Sequence, residues 1–226
     1  MEFKIAVVGK LPLSNESLPD LPVTYIESFG SYIAVGCSTG SIFIFKSSNN
    51  DLKQHVASFY HKSAISLLFF TSSGVLISGD SSGQLVLWDE SLCHAYFDAL
   101  LPSKIDSASE NTKYYFFSGQ FSEVIALNKK DFTLEFRLSS RLYPDWISGL
   151  FACTDLQIAG LTISGYLKIW RLSNPEKSVI LEEEIRRLTN NMPMSVSNRG
   201  SILSIVSPKT AEFYRLSIIK FISRTL

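Results

Sequence analysis

The chain has 226 residues, of which 46% are hydrophobic and 19% charged, so it can bury a sizeable core in one domain or two small ones. Its 21 basic and 21 acidic residues cancel to no net charge, which argues against bulk binding of nucleic acid or of an anionic membrane. The cysteines Cys37, Cys93 and Cys153 are odd in number and too widely spaced for a disulfide framework or a paired zinc motif.

The apolar runs of the sequence indicate neither export nor a membrane-spanning helix. Its first apolar run, Ile5–Val8, is too short for the apolar region of a signal peptide. Later apolar stretches such as Leu67–Phe70 fall far below the roughly 18 consecutive apolar residues that a membrane helix needs. We therefore expect a soluble, cytoplasmic protein.

Three segments in chain order are variants of one strand–turn–strand unit. They read YIAVGCSTGSIFIFK from Tyr32, VLISGDSSGQLVLWDE from Val75 and LQIAGLTISGYLKIWRL from Leu156. Two weaker copies place Leu127 and Tyr214 at equivalent positions. In each strong copy a glycine precedes an aromatic residue by five positions: Gly40 and Phe45, Gly83 and Trp88, Gly165 and Trp170. The repeat period of about 42 residues is typical of four-stranded propeller blades.

The composition of the repeated segments favours strands throughout. Runs such as Ile42–Phe45 and Leu85–Trp88 are apolar on both faces, as is required of sheets packed between two neighbouring sheets. The one helical-looking segment, Ile180–Asn190, falls where the repeat calls for an outer strand, so we predict a strand up to about Glu184. The fold class predicted from these patterns is all-β.

At GQLVLWDE the sequence resembles the WD-repeat (WD40-type) β-propellers, with Trp88 and Asp89 as the eponymous dipeptide. This resemblance implies a buried hydrogen-bonded network of a His, a Ser or Thr, a Trp and an Asp in a turn. His61, Ser78 and Trp88 match the first three by position. Ser82 stands where the turn Asp is expected, so we expect this structural network to lack its acid.

A narrower resemblance covers residues 141–172. The element Pro144–Ser148, followed by Gly165, Leu167, Lys168 and Trp170, is similar to the amino-terminal propeller of the rabconnectin-3 beta family of large WD-repeat proteins. That resemblance implies a non-enzymatic scaffold in vesicle trafficking and vacuolar ATPase assembly. It also implies, as partners, a rabconnectin alpha subunit or vacuolar ATPase assembly factors, and a peripheral position on endosomal or vacuolar membranes.

Five repeats of about 42 residues account for nearly the whole chain. We predict a single β-propeller, either a five-bladed ring or an open part of a larger one, with 2–8 as a candidate outer strand that closes the ring. The predicted blades are 22–60, 61–101, 102–140, 141–185 and 186–226.

The stretch Gly79–Gly83 spells G-x-S-x-G, the pattern of a hydrolase nucleophile elbow with Ser81 as the nucleophile. An elbow requires a helix next, then an acid and a His later in the chain. Here a strand follows, and His94 is the single later histidine. The equivalent repeats also carry turns in this slot, so the pattern favours a hairpin turn. We predict no catalytic residue and no cofactor, and keep a propeller-fold hydrolase as an alternative.

Metal binding is not indicated by the remaining polar residues. His55, His61 and His94 lack the spacing of metal ligands. The carboxylates of Glu182–Glu184 would alternate between the two faces of a strand and could not converge on one ion.

Two elements are candidates for a binding surface. Arg186 and Arg187 suggest a second alternative, phosphoinositide binding, but they lack the Phe-Arg-Arg-Gly context of membrane-recruited propellers. Pro144, Asp145 and Trp146 lie in the predicted loop that enters an innermost strand, where Asp145 can cap the turn. Trp146 can be a core residue or an exposed aromatic anchor for a protein partner.

Overall fold

The computed structural model describes residues 22–48, 51–58, 61–88, 95–139, 145–173, 179–187, 195–199, 202–206 and 211–215. Within these ranges every regular element is a β-strand, and none is a helix long and apolar enough to cross a membrane. The strands are β1 (Val23–Phe29), β2 (Tyr32–Cys37), β3 (Ile42–Ser48), β4 (Asp51–Ser58), β5 (Ile65–Phe70), β6 (Leu76–Asp80), β7 (Gln84–Trp88), β8 (Ala95–Leu100), β9 (Ile105–Glu110), β10 (Tyr114–Gly119), β11 (Phe121–Asn128), β12 (Leu134–Ser139), β13 (Ile147–Thr154), β14 (Gln157–Thr162), β15 (Tyr166–Ser173), β16 (Val179–Arg187), β17 (Ser195–Arg199), β18 (Ile202–Val206) and β19 (Ala211–Arg215).

Within each sheet, strands that follow each other in the chain are also neighbours. Sheet 1 has the order β1-β2-β3-β4, sheet 2 β5-β6-β7-β8, sheet 3 β9-β10-β11-β12 and sheet 4 β13-β14-β15-β16, and sheet 5 contains β17-β18-β19 among the described residues. The pairing is antiparallel, with Ser78 opposite Val86 in sheet 2 and Gly160 opposite Lys168 in sheet 4. The prediction of an all-β fold built from four-stranded sheets is confirmed.

The chain divides into two compact units, Met1–Asp106 and Ser107–Leu226. In the first unit, sheets 1 and 2 face each other across a core formed by Ala34, Ile42, Ile44, Ile65, Leu68, Phe70, Leu76, Val86 and Trp88. In the second unit, sheets 3 and 4 share a core formed by Tyr114, Phe116, Val124, Ala126, Leu138, Ile147, Leu150, Ile158 and Trp170.

The central strands are buried on both faces. All five residues of β6 and all six of β10 are buried, although side chains alternate between the faces of a strand. This pattern explains the continuous apolar runs in the sequence, because each face of such a sheet is covered.

The segment that looked helical is β16, and it extends past the predicted end at Glu184 to Arg187. Arg186 lies opposite Leu167 and Arg187 opposite Tyr166 in the pairing with β15. Both arginines therefore belong to sheet 4, whereas the sequence placed them at the start of the last blade. The candidate closing strand at 2–8 lies outside the described residues.

Candidate functional site

A buried hydrogen-bond network lies in sheet 2. Ser78 is the middle residue of β6, Trp88 ends β7, and His61 lies in the segment that enters β5. His61 Nε2 is 2.7 Å from Ser78 Oγ, and Trp88 Nε1 donates to the same oxygen over 2.9 Å. The three residues are at most 3% exposed. The structure thus brings together the three residues that the repeat placed in a network.

Asp80 supplies the acid that we expected this network to lack. Its Oδ2 lies 3.1 Å from His61 Nδ1. Its Oδ1 accepts hydrogen bonds from the backbone N–H of Ser82 (2.8 Å), the hydroxyl of Ser82 (2.7 Å) and the backbone N–H of Gln84 (2.9 Å). The expectation based on Ser82 was wrong, because the acid stands two residues earlier and Ser82 is one of its donors.

The directions of these hydrogen bonds follow from the carboxylate, which can only accept. His61 therefore donates its Nδ1–H to Asp80, and its Nε2 accepts the hydroxyl proton of Ser78. Burial lowers the pKa of His61 below its ordinary value of 6.5, although the bond to Asp80 acts in the opposite direction. Burial also opposes ionisation of Asp80, but the hydrogen bonds from Ser82, Gln84 and His61 together hold its pKa below the usual range.

We expect the free energy of unfolding to decrease as the pH falls from about 7 to about 5. The pKa of His61 is lower in the folded chain than its ordinary value of 6.5. Below that pH the unfolded chain therefore binds more protons, and stability is lost as the pH falls. Asp80, whose pKa is also lowered, has the same sign below about pH 4. One such group contributes a slope of at most about 1.4 kcal/mol per pH unit.

Urea unfolding of the wild type and of His61→Gln across this pH range measures the effect. The variant lacks the titrating group, so its stability should depend less on pH while the other two histidines contribute equally to both proteins. Equal slopes for the two proteins would contradict the prediction.

Ser78, His61 and Asp80 have the same order of hydrogen bonds as a Ser-His-Asp catalytic triad. A nucleophile must reach its substrate, however, and Ser78 is 0% exposed with its oxygen already bonded to Trp88. The geometry therefore favours a structural role for this cluster.

The G-x-S-x-G stretch forms the turn between β6 and β7. Gly83 donates its N–H to the carbonyl of Asp80 over 3.2 Å and has a φ of 94°. Ser81 is exposed, and its backbone N–H donates to the carbonyl of Ala64 over 2.9 Å. Among the described residues no histidine or acid hydrogen-bonds to the Ser81 side chain. A strand follows the turn, so the geometry is not that of a nucleophile elbow.

The described ranges contain no group of three or more His, Cys, Asp or Glu side chains placed to hold a metal ion. Cys37 is buried and forms no disulfide. The side chains of Cys93, Cys153, His55 and His94 lie outside the described part of the structure.

Sheet 4 repeats the architecture of sheet 2 without its network. Trp170 occupies the position of Trp88, and Gly160 occupies that of Ser78, ten residues earlier in both cases. Trp170 is 1% exposed, and its Nε1–H has no hydrogen-bond partner among the described residues. Gly160 offers no hydroxyl, and the part of the Trp170 indole beside it is the Cζ3–Cη2 edge rather than the Nε1–H.

We expect Gly160→Ser to be no more stable than Gly160→Ala, because a side chain at this position would face the Cζ3–Cη2 edge of Trp170 while the Nε1–H points away from that edge. A Cβ at this position would lie 3.1 Å from atoms of both Ile147 and Trp170. Both variants carry that steric cost, so the comparison isolates the hydroxyl. Urea unfolding of the two variants measures the difference, and a serine variant more stable by about 1 kcal/mol would show that the hydroxyl accepts the Trp170 N–H.

The candidate partner surface lies at the end of sheet 4 where β13 begins. Asp145 accepts hydrogen bonds from the backbone N–H of Trp146 (2.8 Å) and of Ser164 (3.1 Å). The carbonyl of Trp146 accepts one from Ile163 (3.0 Å). Trp146 is 45% exposed, so it is not a core residue. Pro144 lies outside the described residues.

Arg187 lies at the same end of sheet 4, as the last residue of β16. Its side chain is exposed, and the guanidinium carbon lies 5.5 Å from the centre of the Tyr166 ring. The side chains of Arg186 and Glu182–Glu184 lie outside the described part.

Consecutive four-stranded antiparallel sheets, glycine turns five residues before an aromatic residue and a buried His–Ser–Trp–Asp network together define the WD40-type β-propeller fold. Solved structures of this fold resemble the chain. They include the WD40 repeats of RRP9 (TM-score 0.73, 14% identity, covering 91% of this chain and 62% of that chain) and U3-55K (TM-score 0.73, 13% identity, 90% and 63%). A chain of the mitotic checkpoint complex is also similar (TM-score 0.72, 14% identity, 86% and 64%).

At these identities the likeness shows the fold. The chain spans less than two thirds of the length of each of these structures. No protein-family model matches the sequence, and no curated protein matches it.

Proposed function

We propose that the chain is a non-enzymatic scaffold that binds other proteins, and that Pro144, Asp145 and Trp146 lie at the centre of its partner surface. The observation that carries this proposal is the exposure of Trp146. Trp146 is 45% exposed, whereas Trp88 and Trp170 are 3% and 1% exposed. Tryptophan is among the residues that most often dominate the binding energy of protein interfaces.

The backbone around Trp146 is held in place by hydrogen bonds within the chain itself. Both backbone groups of Trp146 are hydrogen-bonded, the N–H to Asp145 and the carbonyl to Ile163. Asp145 also ties this segment to the β14–β15 turn through Ser164. An anchor on a fixed backbone loses less conformational entropy on binding, which increases the affinity available from its contacts.

The resemblance around residues 141–172 extends the proposal to particular partners. A rabconnectin alpha subunit or vacuolar ATPase assembly factors are the proposed partners, and vesicle trafficking and vacuolar ATPase assembly the proposed processes. The proposed location is cytoplasmic and peripheral on endosomal or vacuolar membranes.

Affinity purification with mass spectrometry on the wild type, Trp146→Ala and Leu156→Ala tests the proposal. Leu156 is a matched control, because it is 54% exposed in the turn at the opposite end of the same sheet. We expect Trp146→Ala to lose proteins that the other two retain, while all three have the same circular dichroism spectrum and cooperative melting. Retention of every partner by Trp146→Ala would refute the proposed surface, and recovery of vacuolar ATPase assembly factors would support the particular partners.

A further inference from the structure

We propose that Arg187, held against Tyr166, binds an acidic side chain of the partner segment that contacts Trp146. This inference rests on the proposed function and specifies the chemistry of the partner. Strands β13 and β15 begin at the same end of sheet 4 at which β14 and β16 end, as Ile147 opposite Thr162 and Tyr166 opposite Arg187 show. Trp146, the β14–β15 turn, Tyr166 and Arg187 therefore follow one another across this end of the sheet.

Arg187 is suited to bind a carboxylate. Its side chain is exposed and its guanidinium carbon lies 5.5 Å from the centre of the Tyr166 ring, within the range of a cation–π contact. The planar guanidinium donates paired hydrogen bonds to a carboxylate, and stacking on a ring leaves its N–H edges available for them. Because the ring restrains the side chain, binding costs less rotamer entropy.

Asp145 is the other described charged side chain at this end of the sheet, and it does not compete for the same role. Its two oxygens accept backbone N–H groups of Trp146 and Ser164, so it fixes the loop. The aromatic ring of Trp146 and the cation of Arg187 are thus left for a ligand at the two sides, with the exposed Ser164 in the turn between them.

The spacing defines the partner segment. Neighbouring strands lie about 4.8 Å apart, so the three steps from β13 to β16 span about 14 Å. An extended peptide covers that distance in about four residues. The structure therefore indicates an extended segment with an apolar or aromatic residue about four positions from an Asp or Glu.

Selection from a phage-displayed library of random peptides of about twelve residues tests this inference, with the wild type, Arg187→Gln, Trp146→Ala and Arg137→Gln as baits. Arg137 is a matched control, an exposed arginine on β12 that pairs with Glu123. We expect the wild type and Arg137→Gln to enrich peptides with the predicted spacing. Arg187→Gln should lose the acidic preference and bind the best wild-type peptide about tenfold more weakly.

Acrylamide quenching gives an independent measure. Because Trp88 and Trp170 are at most 3% exposed, quenching of tryptophan fluorescence reports mainly on Trp146. A selected peptide should protect this fluorescence in the wild type and protect it less in Arg187→Gln.

The outcomes separate the inference from the proposed function. If Arg187→Gln selects the same acidic peptides as the wild type and Trp146→Ala loses them, the inference is overturned and the proposed function stands. If Trp146→Ala keeps the peptides, or the wild type enriches none, both are overturned. Arg187-dependent sedimentation with vesicles containing phosphatidylinositol 3-phosphate, without acidic enrichment, would overturn the inference by assigning Arg187 to a lipid headgroup.

Discussion

Replacing Asp80 with Ala is expected to lower the free energy of unfolding by about 3 kcal/mol. The substitution removes both acceptors of a buried carboxylate that receives hydrogen bonds from His61, Ser82 and Gln84. A buried donor left without an acceptor costs about 1–3 kcal/mol. His61 is 3% exposed, so its unpaired N–H accounts for most of the lost stability. Ser82 is exposed and can bind water instead.

Urea unfolding of Asp80→Ala, Asp80→Asn and Ser82→Ala checks the assignment. An asparagine keeps the acceptor for Ser82 and Gln84 but offers an N–H to His61. The imidazole must then change tautomer, and its Nε2–H and the Trp88 N–H both point at the Ser78 oxygen. We expect Asp80→Asn to cost about 1–3 kcal/mol and Ser82→Ala less than about 1 kcal/mol. An Asp80→Ala variant as stable as the wild type would show that the carboxylate does not stabilise the fold.

The fold could be predicted from the sequence because its main determinants repeat at fixed positions. The glycines before the aromatic residues at 45, 88 and 170 have φ values of 83°, 94° and 81°, a conformation that other residues adopt only at a cost. Strands that are apolar on both faces indicate sheets that are covered on both sides. These requirements are local, and each can be recognised from the residue types in the sequence.

The acid of the network was missed because it was sought at the position expected from the resemblance. A different signal was present: Asp80 lies two residues after Ser78, and side chains two apart on a strand share a face. Because of this alternation, the Asp80 side chain lies on the side of β6 that faces His61. Strand geometry therefore identifies the acid where the repeat register fails.

The exposure of Trp146 and the end of β16 depend on contacts distant in the chain. Trp146 directly precedes a strand, and its side chain direction depends on the turn at Ile163 and Ser164 that holds its backbone. The last residues of β16 are strand because β15 offers pairing partners as far as Tyr166. Neither contact is contained in the local sequence.

Replacing Gly83 with Ala is expected to lower the free energy of unfolding by about 3 kcal/mol. A left-handed backbone conformation costs a residue with a side chain about 1–2 kcal/mol. Gly83 has such a conformation, with a φ of 94°. The added Cβ would also lie 2.4 Å from the carbonyl oxygen of Leu101 and 2.9 Å from that of Ser103. Leu101 cannot easily move away, because its N–H donates to the carbonyl of Gly83 over 2.8 Å.

Gly30→Ala separates the two contributions, because Gly30 has a φ of 57° but no atom within 4 Å of an added Cβ. We expect Gly30→Ala to cost about 1 kcal/mol, the conformational part alone, in the same urea unfolding measurement. Equal costs at the two positions would contradict the steric part. Gly40 makes the same approach to the segment that enters β5, with a Cβ 2.2 Å from the carbonyl oxygen of His61, so Gly40→Ala should cost as much as Gly83→Ala. If so, the glycines at 40 and 83 each allow their turn to pack closely against the segment that enters the next sheet.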